Sequence, residues 1–128
     1  MEFEKPKNIF IVDDDTMTTE ALKDYLTRKV PHKVTCFHTG EDCLPQLIQK
    51  PDVVILDFYM NTVQKNAANG LEVLETIKKN YPGIHIIMLS SQEKYGLALQ
   101  TIQKGAEQYV IKDAEAFEKI SKIIQELN

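Results

Sequence analysis

Several short apolar runs in this chain stop abruptly at a polar residue, and the run at residues 53–56 (VVIL, before Asp57) constrains the fold most. It shows no alternation of apolar and polar residues. An extended segment of that kind is apolar on both faces, which is the pattern of a parallel-sheet strand covered by helices on both sides. Asn8–Val12 (NIFIV) is built the same way and ends at Asp13, Asp14 and Asp15. Residues 84–89 (IHIIML) end at Ser90 and Ser91, and Gln108–Ile111 ends at Lys112. Lys33–Phe37 reads as a further strand, closed by Thr39 and Gly40.

Segments of helical period separate these runs. Met17, Ala21, Tyr25 and Leu26 recur at helical spacing, with Pro31 beyond them as a stop. Residues 41–49 are expected to form a helix with Pro45 in its first turn, where a missing N–H matters least. Residues 71–80 carry Leu71, Leu74 and Ile77 on one stripe, and residues 92–104 form the next helix, ended by Gly105. The last helix buries Phe117, Ile120, Ile124 and Leu127, with Asp113 as its expected cap. Five strands alternating with five helices predict an α/β domain with a parallel sheet and helices on both faces. A length of 128 residues fits one domain spanning 1–128, with no linker or repeat.

Composition narrows the function classes. The net charge is −4, and only Arg28 among the fifteen basic residues is an arginine, which argues against direct nucleic-acid binding. No apolar run approaches the ~20 residues that span a bilayer, so no membrane association is expected. Residues 1–7 lack a signal-peptide pattern, and Cys36 and Cys43 do not form a disulfide framework. A cytoplasmic, reduced location is the expectation. His32, His38 and His85 share no metal-ligand spacing.

In an open parallel sheet, ligands bind outside the carboxyl ends of the strands. Those ends carry Asp13, Asp14, Asp15, Asp57, Ser90, Ser91 and Lys112. Each has an ordinary reading: an Asp triplet caps a helix, a Ser forms a turn, a Lys is solvated. Together they suit phosphoryl transfer to a carboxylate. Carboxylates from adjacent strand ends repel unless a hard divalent ion such as Mg2+ sits between them. Lys112 is placed to pair with Asp57 or with a phosphoryl group on it, and the Ser90 hydroxyl to donate to another phosphoryl oxygen.

The stretches IFIVDDD (9–15), VVILDFYM (53–60), Gly70, IIMLSS (86–91) and GAEQYVIK (105–112), in this order, resemble the receiver domains of two-component response regulators. The likeness runs over essentially the whole chain and is to the stand-alone, chemotaxis-regulator-like kind. The resemblance implies a flavodoxin-like (βα)5 three-layer sandwich with strand order 2-1-3-4-5. It implies Asp57 as phospho-acceptor, with Asp13, Asp14, Asp57 and the backbone carbonyl of Tyr59 as Mg2+ ligands. Ser90 and Tyr109 match the switch pair and Lys112 the lysine beside the phosphoryl group, while Asp15 starts the first helix. The implied partners are a histidine kinase or histidine phosphotransfer protein and a downstream protein target, reached through the surface of helix four, strand five and helix five. The protein would be a monomer or a phosphorylation-dependent dimer. It would not be an enzyme beyond accepting and losing its own phosphoryl group. The alternative is a degenerate receiver acting as a phosphorylation-independent binding module.

Two rivals meet specific residues. A flavodoxin-like FMN binder needs a Ser/Thr/Gly-rich phosphate loop where this chain has three aspartates. An aspartyl-phosphate phosphatase carries a second acid two residues past the nucleophile, where Tyr59 stands. The chain also departs from the family. Gly70 lies thirteen residues after Asp57, against about eight in the family, so residues 61–69 carry an insertion of about five. This loop is expected to alter partner access or phosphoryl lifetime. The usual proline after the methionine is absent at Asn61. Asp113 replaces another common proline, so a trans or strained Lys112–Asp113 bond is expected, since a non-prolyl cis bond costs ~3 kcal/mol. Ser91 replaces a common alanine, and Tyr59 and Gln92 occupy positions that tune hydrolysis in the family.

Overall fold

Side chains alternate across an extended strand, so each unbroken apolar run feeds two cores at once. The computed structural model describes residues 4–58, 69–91 and 94–127. Five parallel strands, β1 (Asn8–Val12), β2 (Lys33–Phe37), β3 (Val53–Asp57), β4 (His85–Ser90) and β5 (Gln108–Ile111), lie in the order β2-β1-β3-β4-β5. Phe10, Val12, Val54, Leu56, Ile86 and Met88 point to one face, and Ile9, Ile11, Val53, Ile55, Ile87 and Leu89 to the other. Helices α1 (Thr16–Thr27) and α5 (Ala116–Glu126) cover the second face through Leu22, Leu26, Ile120 and Ile124. The first is covered by α2 (Gly40–Cys43), α3 (Gly70–Asn80) and α4 (Tyr95–Gln103), with Cys43, Val73, Leu74 and Ile77 buried and Leu97 packed at the edge. The result is the expected three-layer flavodoxin-like sandwich in the expected strand order.

Several local expectations are corrected. In α1 the buried residues are Thr19, Leu22 and Leu26, whereas Met17 is 82% exposed and Ala21 faces solvent. The phase turns on Thr19, whose hydroxyl donates to the Thr16 carbonyl and so enters the core already satisfied. Tyr25 flanks that stripe and packs on Phe117. The helix expected over 41–49 breaks instead into α2 and a 3-10 helix, Leu44–Gln49. Pro45 has no N–H to give to the carbonyl four residues back, so the α-helix stops and the tighter turn takes over. Asp113 does not cap α5 directly. Its carboxylate accepts from Glu115 N and its carbonyl from Ala116 N, forming the turn that leads into the helix. The described part of α4 is Tyr95–Gln103, shorter than expected, and residues 92–93 lie outside the described segments. No cis peptide bond occurs among the described residues, so Lys112–Asp113 is trans.

His32 is buried and ties the start of the chain to β2. Its Nδ1 accepts from Lys7 N at 2.9 Å, which leaves Nε2 to donate to Glu4 Oε2 at 3.0 Å. Both cysteines carry free thiols. Burial pushes the Cys43 thiol up to about 12. Cys43 is therefore expected to resist iodoacetamide at pH 8 in the folded protein and to react once guanidinium unfolds it, read by intact mass. Because the folded value is the higher one, the stability its neutral thiol supplies is complete below the ordinary thiol value of 9.0 and is lost as pH climbs toward 12.

Candidate functional site

Strand register brings the polar strand ends together. Val12 is level with Leu56, Asp57 with Leu89, and Ser90 with Ile111, so Asp13, Asp57, Ser90 and Lys112 arrive side by side at the carboxyl edge of the sheet. Asp57 and Ser90 are the last residues of β3 and β4 rather than the first residues after them. Asp13 and Asp57 are only 1% and 4% exposed, and Ser90 is fully buried.

Carboxylate oxygens of Asp13, Asp14 and Asp57 all lie within 4.8 Å of one another, the one such group of potential metal ligands among the described residues. Lys112 Nζ stands 2.9 Å from Asp13 Oδ2 and 3.4 Å from Asp57 Oδ1. The lysine thus leans nearer Asp13 than Asp57, a detail that strand order alone does not reveal. Burial works against its charge, but the hydrogen bond to Asp13 and the fields of Asp57 and Asp13 outweigh that and hold its pKa above the ordinary 10.5. The backbone braces the arrangement. Lys112 N donates to the Ser90 carbonyl at 2.8 Å, and Asp15 N donates to Asp13 Oδ1 at 2.9 Å.

Asp15 stands outside the cluster. Its carboxylate caps α1, accepting from Met17 N at 3.0 Å and from the Thr18 hydroxyl at 2.8 Å; the Thr18 bond lowers its pKa. Tyr109 is level with Met88, two residues before Ser90. It is half-buried on β5 and lines a cavity of about 410 Å3 with Lys94, Tyr95, Ala98 and Ile111. Tyr59 and Gln92, and all of the long loop except Asn69, fall outside the described residues.

The donor set fits a hard divalent cation. Every donor is a carboxylate oxygen, and three negative charges face the single positive charge of Lys112, leaving a deficit of two. Such a site favours Mg2+ over softer metals, which seek nitrogen or sulfur. The chain that leaves β3 returns to the same place. Gly70 N donates to the Phe58 carbonyl at 2.9 Å, and the Asn69 side chain caps α3 by accepting from Glu72 N at 2.9 Å. Once such a loop is closed, doubling its length costs only ~0.6 kcal/mol.

Comparison with known proteins adds four likenesses. Residues 9–125 match the sequence model described as "response regulator receiver domain". The chemotaxis protein CheY of Thermotoga maritima is 29% identical over 124 residues, covering 91% of this chain and 98% of that protein. The response regulator protein VraR of Staphylococcus saprophyticus is 26% identical over 113 residues, covering 87% of this chain and 52% of VraR, so the chain spans about half the length of that relative. Among solved structures, the BeF3-activated receiver domain of DrrB, from Thermotoga maritima, superposes with a TM-score of 0.82 at 25% identity, over 95% of this chain and 97% of that domain.

Proposed function

This chain belongs to the response regulator receiver domain family, and we propose that it is a phosphorylation switch whose acceptor is Asp57. The observation that carries the proposal is Lys112, a cation held between two nearly buried carboxylates on neighbouring strand ends. That placement suits a group on which negative charge must accumulate and be screened.

The donor is a phosphohistidine on a histidine kinase or histidine phosphotransfer protein. An oxygen of the Asp57 carboxylate attacks phosphorus in line, and the P–N bond breaks with its electron pair going to the imidazole, which takes up a proton. Lys112 is within reach of the incoming phosphoryl oxygens, already oriented by Asp13. Ser90 turns its hydroxyl toward another of those oxygens. Asp13, Asp14, Asp57 and the Tyr59 carbonyl are the residues that would hold Mg2+. When bound, the ion supplies charge neutralisation and a site for a phosphoryl oxygen. Water later cleaves the acyl phosphate and restores the carboxylate, so the chain's own chemistry is confined to gaining and losing this group.

The added charge biases a two-state surface. Ser90 and Tyr109 couple the acceptor to α4, β5 and α5, where a downstream protein target docks or a second copy pairs in a phosphorylation-dependent dimer. No nucleic acid or membrane is engaged by this chain. No helix among the described residues is long and apolar enough to cross a membrane.

Incubation with acetyl phosphate tests the transfer. A phosphoryl adduct that forms with Mg2+ and is absent in chelator is the expected result. No adduct under either condition would replace the switch by a phosphorylation-independent binding module.

A further inference from the structure

Gly70 opens α3 with its Cα laid against the backbone that carries Asp57. A Cβ there would lie 2.4 Å from the Asp57 carbonyl oxygen, 2.6 Å from Phe58 Cα and 3.0 Å from the Phe58 carbonyl oxygen. All three are main-chain atoms, so no side-chain rotation can clear them. Gly70 has no positive φ, so glycine is needed here for space and not for conformation. Gly83 and Gly96, by contrast, have nothing within 4 Å of an added Cβ.

Hydrogen bonds complete the contact. Gly70 N donates to the Phe58 carbonyl at 2.9 Å, and Phe58 N donates to the Leu89 carbonyl at 3.0 Å. The Asp57–Phe58 segment is therefore gripped between α3 on one side and β4 on the other. The chain departs at Phe58 and is back in contact at Gly70, so the neck is closed although Gly70 lies thirteen residues beyond Asp57. We propose that Gly70 is a positioning residue for Asp57, and that this neck fixes the acceptor independently of the length of the loop it closes. The proposal rests on Asp57 being the acceptor. In-line attack is sensitive to displacements of a fraction of an ångström, so pushing α3 off the Asp57 carbonyl disturbs the reaction before it disturbs the fold.

The test compares four proteins with acetyl phosphate and saturating Mg2+, at a temperature well below every unfolding midpoint: wild type, Gly70→Ala, a deletion of residues 63–67, and Ile124→Ala. The last removes core volume on the far face of the sheet and controls for mere loss of stability. The phosphorylation rate per folded molecule is expected to fall tenfold or more in Gly70→Ala and to stay within twofold of wild type in the other two. A wild-type rate in Gly70→Ala, a comparable fall in Ile124→Ala, or a tenfold fall in the deletion would each overturn the proposal. Should Gly70→Ala fail to fold, the deletion still decides whether loop length reaches the acceptor. Amide resonances of Asp57 and Phe58, read in the same samples, are expected to shift in Gly70→Ala and hold in the deletion. Shifts in the deletion overturn the neck. Failure of the wild type to take up phosphoryl would instead count against Asp57 as the acceptor, with the resonances still testing the neck.

Discussion

In metal-free buffer, Asp14→Asn is expected to unfold at a higher temperature than wild type, and in saturating Mg2+ the order is expected to reverse. Three carboxylates with oxygens within 4.8 Å of one another face one lysine. At such a separation each like-charge pair costs roughly 1–3 kcal/mol at effective dielectric constants between those of a protein surface and water. Asp14 is partly exposed, so solvent screens its share and the gain from neutralising it is about 1 kcal/mol. For a domain of this size that amounts to roughly 3–5 °C. Mg2+ acts in the opposite sense. Free ion at a hundredfold excess over its dissociation constant stabilises the folded state by about 2.7 kcal/mol, a term the variant loses in large part. Thermal unfolding of both proteins, with chelator and with Mg2+, gives the four midpoints. A variant less stable than wild type in chelator, or one with an undiminished Mg2+ response, would remove the claim that these acids are held together for a cation.

Lys112→Met is expected to lower the midpoint in metal-free buffer and to slow phosphorylation at least tenfold. The substitution keeps the apolar stem and deletes the charge between Asp13 and Asp57. Removing one partner of a fully buried ion pair costs about 3–5 kcal/mol. The Lys112 side chain is 25% exposed, so about 2 kcal/mol is the appropriate figure, or roughly 6–10 °C. Added Mg2+ is expected to recover more stability in the variant than in wild type, because the ion meets the charge the lysine no longer does. The pH dependence follows from the raised pKa of Lys112. Its contribution is complete below the ordinary 10.5 and is lost as pH rises through the higher folded-state value. The gap between wild type and variant is therefore expected to stay constant from neutrality to about pH 10 and to close only above that. A gap that narrows between pH 7 and pH 9 in urea titrations would contradict this.

Legibility in the sequence followed the physics of each element. The central strands could be read because a parallel strand covered on both faces is apolar along its run, whereas the edge strands β2 and β5, with exposed Lys33 and Gln108, were marked by the residues that close them; β1, β2 and β5 occupy the expected residues. Asp13, Asp14, Asp57 and Lys112 were legible for the same reason: parallel strands carry all their carboxyl ends to one edge. The phase of α1 was not, because Thr19 enters the core with its hydroxyl satisfied by its own helix. The break at Pro45 turned on one missing N–H, and periodicity carries no record of it. Nor could sequence reveal that Lys112 sits nearer Asp13 than Asp57, or that Gly70 touches the backbone of Asp57 from thirteen positions away. Those facts depend on register and on close approach in space.

The most direct test of Asp57 as the phosphoryl acceptor is to locate the group itself. Wild type and Asp57→Ala would be treated with acetyl phosphate and Mg2+, digested, and mapped by mass spectrometry. A phosphoryl group on the wild-type peptide containing Asp57, with no adduct anywhere in Asp57→Ala, is the predicted result. An adduct of equal yield in Asp57→Ala, or one mapped to another residue of the wild type, would contradict it.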